Sequence, residues 1–155
     1  VIPAAEALGM KTVGYDPFLD AERAATISPN LRFTDDLLDL CASCDYITIH
    51  VPATPKTKGM IGADEIAAMK EGAAFLNFSR DTLVDNDAMR AGLTSGKVRR
   101  YVTDFATPEV MTMEGALVLP HLGASTAEAE ENCAEMAVRE VMDYLETGKK
   151  VHCVN

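Results

Sequence analysis

The sequence predicts an α/β domain wound on both faces of a parallel sheet. Short apolar runs alternate with helical patterns as far as Pro120, with no internal repeat and no low-complexity tract. The runs are close to continuous in apolar character, as in strands covered on both faces, rather than alternating between apolar and polar. Strand–helix alternation of this kind implies parallel strands joined by right-handed crossovers.

Taken in order, Lys11–Tyr15, Tyr46–Val51, Ala73–Ser79, Tyr101–Phe105 and Ala116–Pro120 read as strands. Between them Thr34–Ser43, Ala63–Lys70 and Asn86–Ser95 carry helical patterns. Thr34 and Asp85 stand where N-caps belong, each followed by acidic residues that suit a helix N-terminus. Gly72 and Gly96 stand where helices should stop. After Pro120 a longer helix is expected from Thr126 to about Thr147, with Ala129, Cys133, Met136, Ala137, Val141 and Leu145 on one stripe and Gly148 at its end. Val1–Met10 reads as the interior of an amphipathic helix without a cap or an initiating Met, so the expectation is a sheet truncated at its first helix.

Composition narrows the function. A chain of 155 residues, 48% hydrophobic, is about one domain's worth and can supply a core. A net charge of −10 argues against a nucleic-acid partner, which needs a basic stripe. No apolar run approaches the ~20 residues that span a bilayer, and Val1–Met10 has no signal-peptide pattern, so no membrane partner and a cytoplasmic location are expected. Reduced thiols are then the default for Cys41, Cys44, Cys133 and Cys153. Cys41-Ala-Ser-Cys44 fits a redox pair in pattern, but it closes a helical run where small residues pack against a sheet. It is read as structural, with no second Cys pair to complete a zinc site and no metal expected.

The residues that can carry chemistry sit where the predicted strands end, the edge at which open parallel sheets bind ligands. Asp16, in Val13-Gly14-Tyr15-Asp16-Pro17, can accept hydrogen bonds from an adenosine ribose and would repel a 2′-phosphate, or it can be a turn Asp before Pro. The glycine-rich loop that would decide between these should lie just before Val1. His50, Val51 and Pro52 follow the next strand, and His50 is read as lying near a cofactor rather than as catalytic. Arg80, in Asn77-Phe78-Ser79-Arg80, can hold a carboxylate in a planar fork, or it can pair on the surface with Asp81 or Asp85. His121 follows Leu117-Val118-Leu119-Pro120; an imidazole there can exchange protons near neutrality, its unperturbed pKa being about 6.5.

Taken together, Tyr15-Asp16-Pro17, His50-Val51-Pro52, Asn77-Phe78-Ser79-Arg80, Thr103-Asp104-Phe105 and Pro120-His121-Leu122-Gly123-Ala124-Ser125-Thr126 resemble the D-2-hydroxyacid dehydrogenase family over essentially the whole chain. The resemblance implies a Rossmann-like fold that binds NAD, with residues 1–121 forming the partial cofactor domain and residues 122–155 returning to a substrate domain. That domain's N-terminal part, the first strand and the glycine loop would lie outside these residues. The absent strand would be central, so the fragment alone is expected to be unstable and inactive.

The same resemblance assigns roles. Arg80 binds the substrate carboxylate, His121 exchanges the hydroxyl proton, and Glu109 hydrogen-bonds His121. The cofactor is touched by Asp16, His50, Val51, Pro52, Phe78, Ser79, Arg80, Asp104, His121, Leu122, Gly123 and Ala124. The motif wording is most similar to members that oxidise 3-phosphoglycerate to 3-phosphohydroxypyruvate in serine biosynthesis. Reduction of glyoxylate or hydroxypyruvate is the alternative enzyme reading, and a dinucleotide-sensing corepressor or an inactive relic are those from other classes. A homodimer or larger homo-oligomer is expected. Three departures stand out: Asp81 follows Arg80 where the family usually has Gly, the segment between Glu109 and His121 is shorter than in many members, and Pro108 precedes Glu109 where the family usually has Glu before Pro. The last leaves Glu114 as a weaker alternative partner for His121.

Overall fold

The computed structural model describes residues Val1–Cys153. They fall into two compact units, one ending at Leu119 and the other beginning at Pro120.

The first unit alternates strand and helix as expected, and every strand pairing in it is parallel. Helix α1 (Ile2–Ala7) leads to β1 (Val13–Tyr15), α2 (Ala21–Ile27), β2 (Arg32–Thr34), α3 (Leu37–Ser43) and β3 (Tyr46–Ile49). Then come α4 (Ala63–Ala68), β4 (Ala73–Asn77), a 3₁₀ turn at Asp81–Leu83, α5 (Asn86–Ser95), β5 (Val98–Thr103), α6 (Pro108–Met111) and β6 (Ala116–Val118). The strands make two ladders, β1-β2 and β3-β4-β5-β6. No ladder joins β1 to β3 among the described residues, so each keeps one edge without a strand partner.

Several boundaries differ from the sequence reading, each for a local reason. Thr34 does not cap α3; it ends β2, and the Asp36 carboxylate accepts the Leu38 N–H at 2.8 Å instead. Gly72 does not end α4, which stops at Ala68; Gly72 turns the chain with φ +73° and donates to Lys97 O. Strand β5 begins at Val98 rather than Tyr101. The register slips between Ala73 and Ala74, pairing them with Val98 and Arg100, and this bulge lets Arg99 and Arg100 both face solvent. The other predicted strands run past the ladders: β1 starts at Val13, β3 stops at Ile49, β4 at Asn77 and β6 at Val118. Strand β3 also alternates exposed and buried residues, so one of its faces is open, contrary to the expectation for a strand covered on both sides.

Helix α5 matches the expected bounds because both ends are specified locally. Asp85 accepts the N–H groups of Asp87 and Ala88, and Gly96 takes the left-handed conformation at the other end. Its Gly92 lies so close to α4 that an added Cβ would come within 2.7 Å of Ile66 Cγ2, and within 3.3 Å of Val98 Cγ2 on β5. The core of this unit centres on β4 and β5, where Phe75 and Tyr101 pack with ring centroids 6.1 Å apart, surrounded by Ile61, Met69, Leu83, Met89 and Val98. Burial of such side chains drives the α/β layers together.

The second unit opens with a turn in which Leu122 donates to Pro120 O and Ser125 to Leu122 O. Helix α7 (Ala127–Thr147) follows, capped by the Thr126 hydroxyl on Ala129 N at 3.1 Å and closed by a left-handed Gly148. No residue of α7 is buried, although Met136, Val138, Val141, Met142, Tyr144 and Leu145 are apolar. No helix among the described residues is long and apolar enough to cross a membrane.

Candidate active site at the strand ends

The parallel ladder β3-β4-β5-β6 puts the carboxyl ends of its strands along one edge, and His50, Arg80 and Asp104 all follow those ends within a few residues. His50 is exposed just beyond β3, its Nε2 2.9 Å from the Thr48 hydroxyl. The next residues turn away through a loop in which Thr57 Oγ1 donates to Pro52 O at 2.7 Å, with Val51 packed against the core.

Beyond β4 the chain is held tightly. Asn77 is fully buried; its Nδ2 donates to Arg80 O at 2.8 Å, and its Oδ1 accepts Ser79 N–H at 3.1 Å. The Ser79 hydroxyl donates to Ile49 O at 2.7 Å, tying this turn to the end of β3. Phe78 projects outward, 40% exposed. The Arg80 guanidinium is exposed and donates to its neighbour's carbonyl, Ser79 O, at 2.6 Å. The surface pairing with Asp81 or Asp85 is not found among the described residues. The Asp81 carboxylate accepts Thr82 N–H, and that of Asp85 caps α5. The guanidinium fork therefore faces solvent, available to an anion.

Beyond β5, Asp104 is half-buried and Phe105 N–H donates to Thr103 Oγ1. Glu109 occupies the first turn of α6, where Thr107 caps the helix and Pro108 suits its first position. Its side chain is exposed, as is that of Glu114 on the way to β6. A contact that sequence reasoning missed holds this short helix: Arg90 on α5 donates to Glu109 O at 2.9 Å, to Thr112 Oγ1 at 3.1 Å and to Thr112 O at 3.3 Å. An Arg six residues before a Gly stop gives no sign of that reach in the sequence.

Asp16 lies at the end of β1, exposed, with Oδ1 accepting Phe18 N–H at 2.8 Å. An exposed carboxylate at the end of this strand fits a ribose diol as hydrogen-bond acceptor, so the donor set suits NAD. His121, Leu122, Gly123 and Ala124 belong to the second unit, in the exposed turn before α7.

Burial raises the phenol of Tyr101, against the opposing effect of hydrogen bonds from Asn77 and Thr103. Desolvation, with the Glu65 carboxylate next in effect, pushes the Cys41 thiol up to about 11. A thiol so buried and so basic is a poor redox nucleophile, and Cys41, Cys44 and Cys133 are free thiols. Among the described residues no group of His, Cys, Asp and Glu could hold a metal ion.

The model of the D-isomer specific 2-hydroxyacid dehydrogenase NAD-binding domain matches residues 1–123. The chain belongs to this family. D-3-phosphoglycerate dehydrogenase of Methanocaldococcus jannaschii is 36% identical over 151 residues, which is 94% of this chain and 28% of that protein. The D-lactate dehydrogenase of Lactobacillus jensenii with NAD+ superposes with a TM-score of 0.79 at 25% identity, covering 97% of this chain and 49% of that one. A glyoxylate reductase from Paecilomyes thermophila superposes at 0.83 with 24% identity, a likeness of fold, over 97% of this chain and 47% of that one. The chain thus spans less than a third of the M. jannaschii relative, and what it represents is the family's NAD-binding, Rossmann-like domain.

Proposed function

We propose that the full-length protein oxidises a D-2-hydroxyacid with NAD, taking 3-phosphoglycerate to 3-phosphohydroxypyruvate. The observation that supports this best is Arg80, held by its backbone at the end of β4 with an exposed guanidinium that bonds only Ser79 O among the described residues, in a chain whose relatives include D-3-phosphoglycerate dehydrogenases. Arg80 holds the substrate carboxylate through its planar fork and polarises the reacting carbonyl. His121 takes the hydroxyl proton during oxidation and returns it in reduction. Glu109 orients that imidazole and favours its protonated form. NAD, when bound, supplies the hydride acceptor. Asp16 receives the ribose hydroxyls; His50, Val51, Pro52, Phe78, Ser79, Asp104, Leu122, Gly123 and Ala124 complete the cofactor's surroundings.

Residues 122–155, which fall within the second unit, are read as the segment returning to a substrate domain. The exposed apolar side chains of α7 support packing against further protein, either that domain or a second copy in a homo-oligomer. The free thiols of Cys41, Cys44 and Cys133 fit a cytoplasmic location. Asp81 is the one observation that favours the alternative, reduction of glyoxylate or hydroxypyruvate, because its carboxylate beside Arg80 disfavours a substrate bearing a second, phosphate charge.

Initial rates of the full-length protein across a panel of D-2-hydroxyacids test the reading. The expected result is NAD-dependent turnover of 3-phosphoglycerate, little turnover with NADP, and a narrowed gap between the two cofactors in Asp16→Ala. Equal use of NAD and NADP by the unsubstituted protein would remove Asp16 from its role. A strong preference for glyoxylate or hydroxypyruvate would transfer the substrate assignment.

A further inference from the structure

We infer that Asn77 is a positioning residue that presets the substrate-facing conformation of Arg80; this rests on the dehydrogenase reading above. Asn77 is the last residue of β4 and is fully buried, where an amide is retained at a cost unless its donors and acceptor are used. They are used on the turn that carries Arg80. Nδ2 donates to Arg80 O at 2.8 Å, and Oδ1 accepts Ser79 N–H at 3.1 Å. The same Nδ2 lies 3.5 Å from the Tyr101 hydroxyl, so a buried side chain of the adjacent strand β5 backs the amide.

The consequence for Arg80 is direct. Its backbone is extended, with φ −152° and ψ 142°, between a strand and a 3₁₀ turn, and the turn itself reaches Arg80 O only through a long bond from Leu83 N–H at 3.4 Å. Its own carbonyl is fixed by Asn77, and the preceding residue is fixed twice, by Asn77 on the backbone and by Ile49 O on the Ser79 hydroxyl. The guanidinium is then aimed by a backbone that is already ordered before substrate arrives. Preorganisation of this kind is gained in binding and turnover rather than in the contact itself, since a small misplacement of a positioning group is costly.

The test uses the full-length protein, with Asn77→Ala, Asn77→Asp, Arg80→Lys and the two double variants. Asn77→Asp keeps the size of the side chain and the acceptor for Ser79 N–H but loses the donor to Arg80 O, and it carries the test if Asn77→Ala does not fold. Each Asn77 variant is expected to raise KM for the hydroxyacid by about tenfold, the scale of one lost buried hydrogen bond, while the Kd of NAD measured by titration stays within about twofold. Combined with Arg80→Lys, the added effect on KM should fall to about twofold or less, because both changes disturb one function. A Tyr101→Phe control should leave KM near normal. Effects of Asn77 and Arg80 that multiply independently, or a normal KM in Asn77→Asp, would overturn this inference alone. Absence of hydroxyacid turnover by the unsubstituted protein would instead overturn the dehydrogenase reading, and this inference with it.

Discussion

Replacing His121 with Gln in the full-length protein is expected to lower kcat by about 10²–10⁴-fold while leaving NAD affinity nearly unchanged. The carbon–hydrogen bond at the carbinol cannot give up its hydride productively unless the hydroxyl proton also departs. Among the residues in the matching motifs, a neutral imidazole at position 121 is the group suited to accept it. In the reverse direction the same ring must deliver a proton, and a carboxylate in the role proposed for Glu109 would assist by favouring the charged form. Glu109→Gln should therefore cost less than the loss of His121 and should move the pH profile of reduction to lower pH. The profile of kcat against pH in the three proteins checks this. An unmoved acidic limb in Glu109→Gln, with the movement appearing in Glu114→Gln, would transfer the role to Glu114. Near-normal turnover in His121→Gln would overturn the mechanism.

Arg80→Lys should raise KM for the hydroxyacid by about 10–100-fold, the scale of a lost charge-assisted hydrogen bond, well before NAD affinity changes. Lysine keeps the charge but not the fork, and a carboxylate held by two parallel N–H groups is not held equally by one ammonium. The geometry sharpens this expectation. The guanidinium makes no ion pair with Asp81 or Asp85, so its loss frees no buried partner, and the effect should fall on the substrate rather than on stability. Steady-state kinetics alongside calorimetric titration of NAD separate the two. A main loss in NAD affinity would make Arg80 a cofactor ligand.

What could be read from the sequence followed from how locally each element is specified. Helix α5 was legible because Asp85 and Gly96 mark both ends, and α7 because Thr126 and Gly148 do the same. Strand β2, helix α2 and helix α6 were not. Arg32-Phe33-Thr34 has a single apolar residue, Ala21–Ile27 is a short helix of mostly small and charged residues, and Pro108–Met111 is one turn. Strand β5 was read as starting too late because Arg99 and Arg100 break its apolar run, and only a bulge opposite Ala73 explains how a strand tolerates them. The division of the strands into two ladders depends on which strands meet, a matter of tertiary structure.

The candidate site followed the same rule. Asp16, His50 and Arg80 were locatable as candidates because strand ends are locatable, and parallel sheets present ligands at that edge, whereas Asp104 was singled out only by the family resemblance. The supports of those residues were not. Asn77 reads in the sequence as a polar residue ending an apolar run, and only its complete burial and its bond to Arg80 O assign it work. Arg90 reads as a surface residue of a helix, yet it clamps the carbonyl of Glu109. Side chains proposed to act on substrate stand out by type and place, whereas Asn77 and Arg90 bond to backbone atoms that no residue pattern encodes.

Transfer of label gives the most direct measurement of the central claim, that this family member moves a hydride from a D-2-hydroxyacid to NAD. The full-length protein is incubated with NAD and D-3-phosphoglycerate carrying deuterium at carbon 2, and the reduced nucleotide is analysed by mass spectrometry. The account predicts one deuterium in the reduced nicotinamide for each 2-oxo acid formed, with formation of both strongly slowed in His121→Gln. Reduced nucleotide without the label, or no reduced nucleotide with this or any other D-2-hydroxyacid, would contradict it.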